Sequence, residues 1–440
     1  MLLRDLGDGL ILRRSTPADA EALADFNSAL LSDDGPAAPD ARIAAWTRDL
    51  LSGDHPTFGV DDFTIVEEAR TGRIVSSLCL ISQAWTYDGI PFGVGRPELV
   101  ATHPDYRNRG LVRAQFQAIH EWSAERGHLA QAITGIPWFY RQFGYEMGLA
   151  LSGGRVGYLP HIPKLKDGEA EPYRLRPVSE ADLPFIKDVY EHASKRNLIA
   201  CVRDEALWRY EVFGKREKNA NRLEMLIVES AAGEPVGYLA HAAWLWDTMM
   251  PGNFFELKPG VSWLAVAPSV MRYLQATGEV YASRDKKQLE SFAFWLGAEH
   301  PVYHAVADRL PMVRRPYAWY VRVPDLPGFL RRIAPALERR LASSALTGYT
   351  GEVKISFYRT GLRLGFQQGR LSVVESWQPT PVERGTAAFP DLTFLQLLFG
   401  YRSLEELRHA FADCRVNSDE IGELLQALFP RRHSDVWPVA

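Results

Sequence analysis

Leu99-Val-Ala-Thr-His-Pro-Asp-Tyr-Arg-Asn-Arg-Gly-Leu-Val112 reads as a short apolar strand that stops at Pro104, an Arg-x-x-Gly turn, and the start of an amphipathic helix. Val112, Phe116 and Ile119 recur at i, i+4 and i+7, with Arg113, Gln117 and Glu121 on other faces, so the helix follows from periodicity. The first amides of such a helix lack partners within it, and its dipole favours negative charge at that end. Gly110 lets the main chain approach an anion without a Cβ in the way, and Arg107 and Arg109 add positive charge. A strand, this turn and a helix in sequence predict a diphosphate-binding turn.

Outward from that turn, the chain has 440 residues, enough for roughly three domains. Hydrophobic residues at 46% and charged residues at 24% are ordinary for a globular protein. Acids exceed bases by 54 to 50, a net charge of −4, which offers no general attraction to nucleic acid. No apolar run reaches the length of a membrane span, and the first residues lack the apolar core of a signal peptide. Cys79, Cys201 and Cys414 are scattered without metal-ligand or redox spacing. They predict buried thiols in a cytoplasmic protein, with no metal.

The pattern of elements predicts a mixed α/β or α+β layered fold. In a first unit, residues 1–158, helices are expected over Ala20–Leu31 and Asp40–Leu51. Strands are expected over Phe63–Glu68, Ile74–Ser82, Pro97–Thr102 and Leu129–Thr134, before a short aromatic segment, Pro137–Phe143. After a polar stretch rich in Pro and Lys, a second unit (172–322) opens with Arg174-Leu175-Arg176-Pro177-Val178-Ser179, echoing Leu12-Arg13-Arg14-Ser15-Thr16-Pro17. Both read as a basic strand before a capped helix, hence an internal repeat. The second copy's counterpart of the anion-binding strand is expected at Val261–Ala267, without the Arg-x-x-Gly turn, which makes that copy degenerate. A third unit (324–440) begins with a basic helix, Leu326–Leu341, whose arginines read as a solvated face. Three strand-like runs, Gly351–Tyr358, Gly361–Gln367 and Arg370–Glu375, and helices over Phe389–Phe399, Ser403–Ala412 and Ser418–Leu428 follow. This order suits an apolar tunnel among Phe357, Leu364, Phe366, Leu395, Leu398 and Leu425.

Arg107-Asn108-Arg109-Gly110-Leu111-Val112 resembles motif A of the GNAT acyl-CoA N-acetyltransferases, with Val112 where that family carries a small residue. Phe139-Tyr140-Arg141-Gln142-Phe143-Gly144-Tyr145 resembles the element that sets a tyrosine beside the cofactor sulfur. With the three-unit layout, the whole chain resembles the Eis-like (enhanced intracellular survival) acetyltransferases. The resemblance implies an α+β chain of tandem GNAT folds, the second degenerate, followed by a sterol-carrier-like domain. It also implies acetyl-CoA as co-substrate, an amine acceptor on a small molecule or peptide (aminoglycoside, polyamine or lysine-type), and a homo-oligomer, up to a hexamer.

Amine acetylation needs three things. The acceptor, with a pKa of about 10, must lose a proton before it attacks. The thioester carbonyl needs donors, for which the backbone N–H groups of Val100, Ala101 and Thr102 are candidates. The leaving thiolate needs a proton, for which Tyr140 is the candidate acid. The cofactor-binding candidates are then Val100, Ala101, Thr102, Arg107, Asn108, Arg109, Gly110, Leu111, Val112, Arg113, Gly135 and Ile136. Three groups compete as base. The resemblance implies the terminal carboxylate, here that of Ala440, docked by Trp437 in an extended tail. Glu98 is the second, expected on the same strand face as Val100 and Thr102. His103 is the third. Between Ser15 and Glu68 twelve acids face only Arg42 and Arg48, a negative field suited to polycationic amines, with Phe26 and Trp46 as candidate pocket residues. Two other functions fit the sequence: a hydrophobic-ligand carrier working through the third unit, and a CoA-binding regulator without turnover.

Overall fold

The computed structural model describes residues 2–438 and 440. β1 (Leu2–Gly7) and β2 (Leu10–Arg14) form a hairpin, followed by α1 (Ala20–Leu30) and α2 (Ala41–Leu50). β3 (Phe63–Glu68), β4 (Ile74–Tyr87) and β5 (Ile90–Thr102) continue the antiparallel sheet. α3 (Leu111–Glu125) then crosses over to β6 (Ala130–Ile133), which runs parallel to β5 at Val94 and Gly95. α3 turns Leu111, Gln115, Phe116, Ile119 and Trp122 into the core, the stripe its periodicity dictates. β4 and β5 both outrun their expected spans, because the Asp88-Gly89 turn between them continues the hairpin past Ser82.

β7 (Glu146–Leu151) closes the first half, and the chain then leaves its own sheet. β8 (Gly154–Tyr158) is followed by β9 (Tyr173–Pro177), α4 (Leu183–Ser194), β10 (Ile199–Cys201), α5 (Glu205–Arg209), β11 (Glu224–Ser230) and β12 (Pro235–His241). β13 (Met249–Gly252), β14 (Phe254–Leu257), α6 (Trp263–Asp285), β15 (Ser291–Phe294), α7 (Pro301–Ala305), β16 (Met312–Arg314) and β17 (Tyr317–Arg322) complete this part. β8 inserts between β15 and β16, and β17 returns to lie between β6 and β7. The two halves therefore exchange a strand. The first sheet runs β1-β2-β3-β4-β5-β6-β17-β7, with β10 also paired to β4; the second half is split into β14-β12-β11-β9 and β13-β15-β8-β16.

The repeat heard in the sequence is real at atomic detail. Arg13 reaches both Asp19 and Glu67; Arg176 reaches Asp182 and Glu229, and Thr16 and Ser179 each open a capping box. One expectation fails here. Val261–Ala267 is not a strand: α6 begins at Trp263, and the copy of β5 is the interrupted pair β13–β14. Ser262 caps α6 by accepting from the Ala265 amide, so the helix start left without a side-chain cap in the first copy is occupied by its own side chain in the second.

The third part starts with α8 (Leu326–Ala342) and carries a sheet of β18 (Gly351–Ser356), β19 (Gly361–Gln367), β20 (Arg370–Trp377) and β21 (Ala387–Ala388). α9 (Phe394–Leu398), α10 (Leu404–Ala410), β22 (Arg415–Val416) and α11 (Asp419–Leu428) follow, β22 pairing with β21. Three arginines of α8, Arg331, Arg332 and Arg339, are exposed as expected, but the face is not free of contacts. Arg332 donates to the carbonyl of Pro91 (2.7 Å), and Arg340 to the carboxylate of Asp88 (3.1 Å), stitching this part to the β4–β5 hairpin. Nor do the six tunnel candidates ring an open channel. Leu364, Leu398 and Leu425 are 0% exposed in one shared core, which leaves no water-sized space beside them. Phe357 and Leu395 line a surface cleft of ≈ 470 Å³ instead. No described helix is long and apolar enough to cross a membrane.

Candidate active site

Two clefts meet beside the end of β6. The first, ≈ 530 Å³, is lined by Val100, Ala101 and Thr102 at the end of β5, by Arg107, Asn108, Gly110, Leu111, Val112 and Arg113 of the turn and α3, and by Ile136. Asn108 (φ 64°) and Gly110 (φ 76°) are both left-handed, which bends the backbone into the concave, amide-lined shape that holds anions. Gly110 is the N-cap of α3 and supplies no side-chain cap, and a Cβ there would meet nothing within 4 Å. The space in front of the helix start is open to a ligand. Arg113 lies along it, bonded to Gln142 (3.2 Å) and over the ring of Phe143. Arg109 is outside the lining, its guanidinium 5.0 Å over the Tyr106 ring. Leu30, Leu31, Phe139 and Phe143 supply apolar wall that the sequence reading did not assign.

The second cleft, ≈ 410 Å³, gathers Trp46, Glu98, Thr134 and Ala440 with side chains from the second half of the chain. Glu98 and the residues just after it do not share a face. β5 carries a bulge against β4, with Leu99 at φ 52°, and the extra residue breaks the alternation. Glu98 thus faces the second cleft while Val100, Ala101 and Thr102 face the first. Burial pushes the Glu98 carboxyl up, and its partner Arg96 opposes that shift.

Tyr140 is in the lining of neither cleft; its hydroxyl lies behind Gly135, on the segment between them. Thr134 lines one and Ile136 the other; Gly135 lies between them at φ 121°, a conformation that favours glycine. A Cβ on Gly135 would sit 3.6 Å from the Tyr140 hydroxyl. Tyr140 is 3% exposed among Phe116, Phe139, Tyr145 and Tyr320, and burial above all, with Glu98 next, raises its pKa far enough to keep it protonated at any physiological pH. The neighbouring phenols are otherwise engaged: Tyr145 bonds His120 (2.9 Å) and Tyr320 accepts from the Trp138 amide (2.5 Å).

The tail docks across the molecule. His433 and Ser434 accept from the amides of Leu198 (2.8 Å) and Ile199 (3.2 Å). Trp437 stacks on Phe254 at 3.2 Å between ring centroids. Arg203, its side chain 0% exposed, donates to the carbonyls of Trp437 (3.0 Å) and Pro438 (3.3 Å) and lies 4.1 Å over the indole. Ala440 is consequently buried in the wall of the second cleft.

Other candidates fall elsewhere. His103 binds Arg73 (2.9 Å) and caps the turn after β5. Phe26 packs on the cluster of Leu23, Phe58 and Phe63 and is in the lining of neither cleft. The acidic segment Ser15–Glu68 does not wall the second cleft: of it, Trp46 alone lines that space among the described residues. Five of its twelve acids are paired with bases from outside the segment, Asp19 and Glu67 with Arg13, Asp61 with Arg14, Asp62 with Arg126 and Asp49 with Arg216, partners that counting within a window cannot find.

Residues 12–148 match the family described as "Acetyltransferase (GNAT) domain", so the chain contains an acetyltransferase domain of that type, one that implies acetyl-CoA as co-substrate. No curated protein sequence matches the chain. Its fold is similar along nearly its whole length to solved structures. One is a GCN5-related N-acetyltransferase from Anabaena variabilis (TM-score 0.64, 13% identity, covering 97% of this chain and 99% of that one). Another is a probable N-acyltransferase from Enterococcus faecalis (TM-score 0.63, 16% identity, covering 97% of each). A third is Eis1 from Mycobacterium abscessus (TM-score 0.59, 15% identity, covering 96% and 98%).

Proposed function

We propose that this chain transfers the acetyl group of acetyl-CoA to a primary amine by direct attack on the thioester, the first cleft holding the CoA and the second the acceptor. The observation that carries this reading is the uncapped start of α3, whose open amides sit one strand-end away from a buried carboxylate and a buried phenol. The left-handed turn at Asn108–Gly110 with Arg107 and Arg113 suits the diphosphate. The apolar wall of Val100, Ile136, Phe139 and Phe143 suits the pantetheine arm. Amides of Val100–Thr102, turned by the bulge at Leu99, suit the thioester oxygen.

In the reaction, the amine nitrogen bonds to the acyl carbon, the C–S bond breaks, and CoA leaves as a thiol. Glu98 is the base that the geometry favours: deprotonated above its raised pKa, it takes the ammonium proton directly or through water. Ala440 competes for that role through a main-chain carboxylate in the same cleft. Tyr140, held neutral by burial, donates to the departing sulfur. The test is thiol release from acetyl-CoA over an amine panel, with the melting temperature followed as CoA is added. Release together with stabilisation is the expected result. Stabilisation without release would leave a CoA-binding regulator, and neither would remove the enzyme reading.

A further inference from the structure

Resting on that reading, we infer that the acceptor is a primary amine borne on a flat apolar body, an arylalkylamine. The chain has 12 tryptophans, and six of them, Trp46, Trp244, Trp246, Trp295, Trp319 and Trp437, line the one cleft that also holds Glu98. They come from α2, from the exchanged strand β17, from the second half and from the tail, so the indole wall is assembled by the whole molecule.

Charge around that wall is largely balanced. Four of the six indoles already carry a guanidinium over the ring: Arg314 at 4.0 Å from Trp295, Arg203 at 4.1 Å from Trp437, Arg96 at 5.2 Å from Trp319 and Arg42 at 5.4 Å from Trp244. Of those guanidinium groups only Arg96 is in the lining, paired there with Glu98, while Arg42 is paired with Asp40 and Arg203 with Glu211; Asp435 is the other charged side chain of the lining among the described residues. The ammonium of the acceptor would sit at Glu98, and the indoles, not charge repulsion, set the preference for an aromatic body. Trp246, 57% exposed and edge-on to Trp295 (5.4 Å), presents its face at the mouth. Trp46 lies opposite in chain origin, on α2. An aromatic ring between indoles gains both burial and edge or offset stacking, worth ~0.5–1.5 kcal/mol per pair beyond area. The cleft's ≈ 410 Å³ lies toward the small end of ligand pockets, about 300–1,000 Å³.

The experiment compares 2-phenylethylamine, propylamine, spermidine and kanamycin as acceptors in the thiol-release assay, beside a titration of the CoA-loaded protein with 2-phenylethylamine read by intrinsic tryptophan fluorescence. The expected kcat/KM for 2-phenylethylamine exceeds that for propylamine, of equal charge, by about tenfold or more, and exceeds those for spermidine and kanamycin, which carry no aromatic ring. Saturable quenching accompanies it. Trp246→Ala, at an exposed position, shrinks the preference over propylamine and weakens the quenching, while the CoA-induced rise in melting temperature persists. Equal rates for the two monoamines, a preference for spermidine or kanamycin, or absence of saturable quenching would overturn the inference. Saturable quenching with no thiol release from any amine upholds the ligand class and sinks the transfer reaction, so the two failures are distinct.

Discussion

At the residue scale, Tyr140 and Glu98 differ in what removal of one atom should do. Tyr140→Phe keeps the ring among Phe116, Phe139 and Tyr145 and deletes only the hydroxyl. Steady-state kinetics should show kcat reduced by about 10²-fold, the low end of acid–base contributions, with CoA stabilisation unchanged. Glu98 must be ionised to accept a proton, and burial raises its pKa above the ordinary 4.5. The rate is thus lost as pH falls through that raised value, and a kcat/KM profile should show an acid limb that Glu98→Gln abolishes. If the limb survives in Glu98→Gln and disappears on deletion of Ala440, the base is at residue 440. The first cleft's turn was legible because its pattern is local: a turn, a glycine and a helix start within one dozen residues. The indole wall was not. Trp46, Trp244, Trp319 and Trp437 are far apart in sequence, and only the folded chain brings them to one cleft.

At the element scale, two segment ends carry the site. Gly110 at φ 76° opens α3, and Gly110→Val would force a β-branched side chain into left-handed backbone, at a cost of about 1–3 kcal/mol. Isothermal titration should show CoA affinity lost by more than tenfold, beyond any fall in melting temperature. The tail is the second. Arg203→Leu removes both bonds to the Trp437 and Pro438 carbonyls and the charge over the indole. As a positioning residue it should split the kinetics, raising acceptor KM several-fold with acetyl-CoA KM unchanged, and Arg203→Lys should recover part of that loss. Most helices and strands were readable from period and caps, Gly361–Gln367 and Phe63–Glu68 to the residue. The bulge at Leu99 was not, because a strand's alternation gives no sign of where a single residue will be inserted. The supposed strand at Val261 failed for a related reason: a short apolar run fits a buried strand or a helix start equally, and Ser262 as cap decides for the helix.

At the scale of the whole molecule, acid should loosen the fold before it reaches the carboxylates. Burial holds His55 and His120 down to about 3 and His128 to about 4, below the ordinary 6.5. These groups are neutral when folded and take protons when unfolded. Their contribution is therefore complete above pH 6.5 and drains away as pH falls toward those values, at up to about 1.4 kcal/mol per unit for each. Melting temperatures between pH 7 and 4 should decline accordingly. The exchange of β8 and β17 could not be foreseen, since each strand looks alike wherever it pairs. Its consequence reaches past stability. The second copy caps its own helix start with Ser262, yet the strand it lends carries Trp319 into the cleft and Tyr320 against the phenol of Tyr140. Excision of the second half would pull a strand from between β6 and β7 of the first sheet, so each half is held to the other by a reciprocal loan that neither can call in.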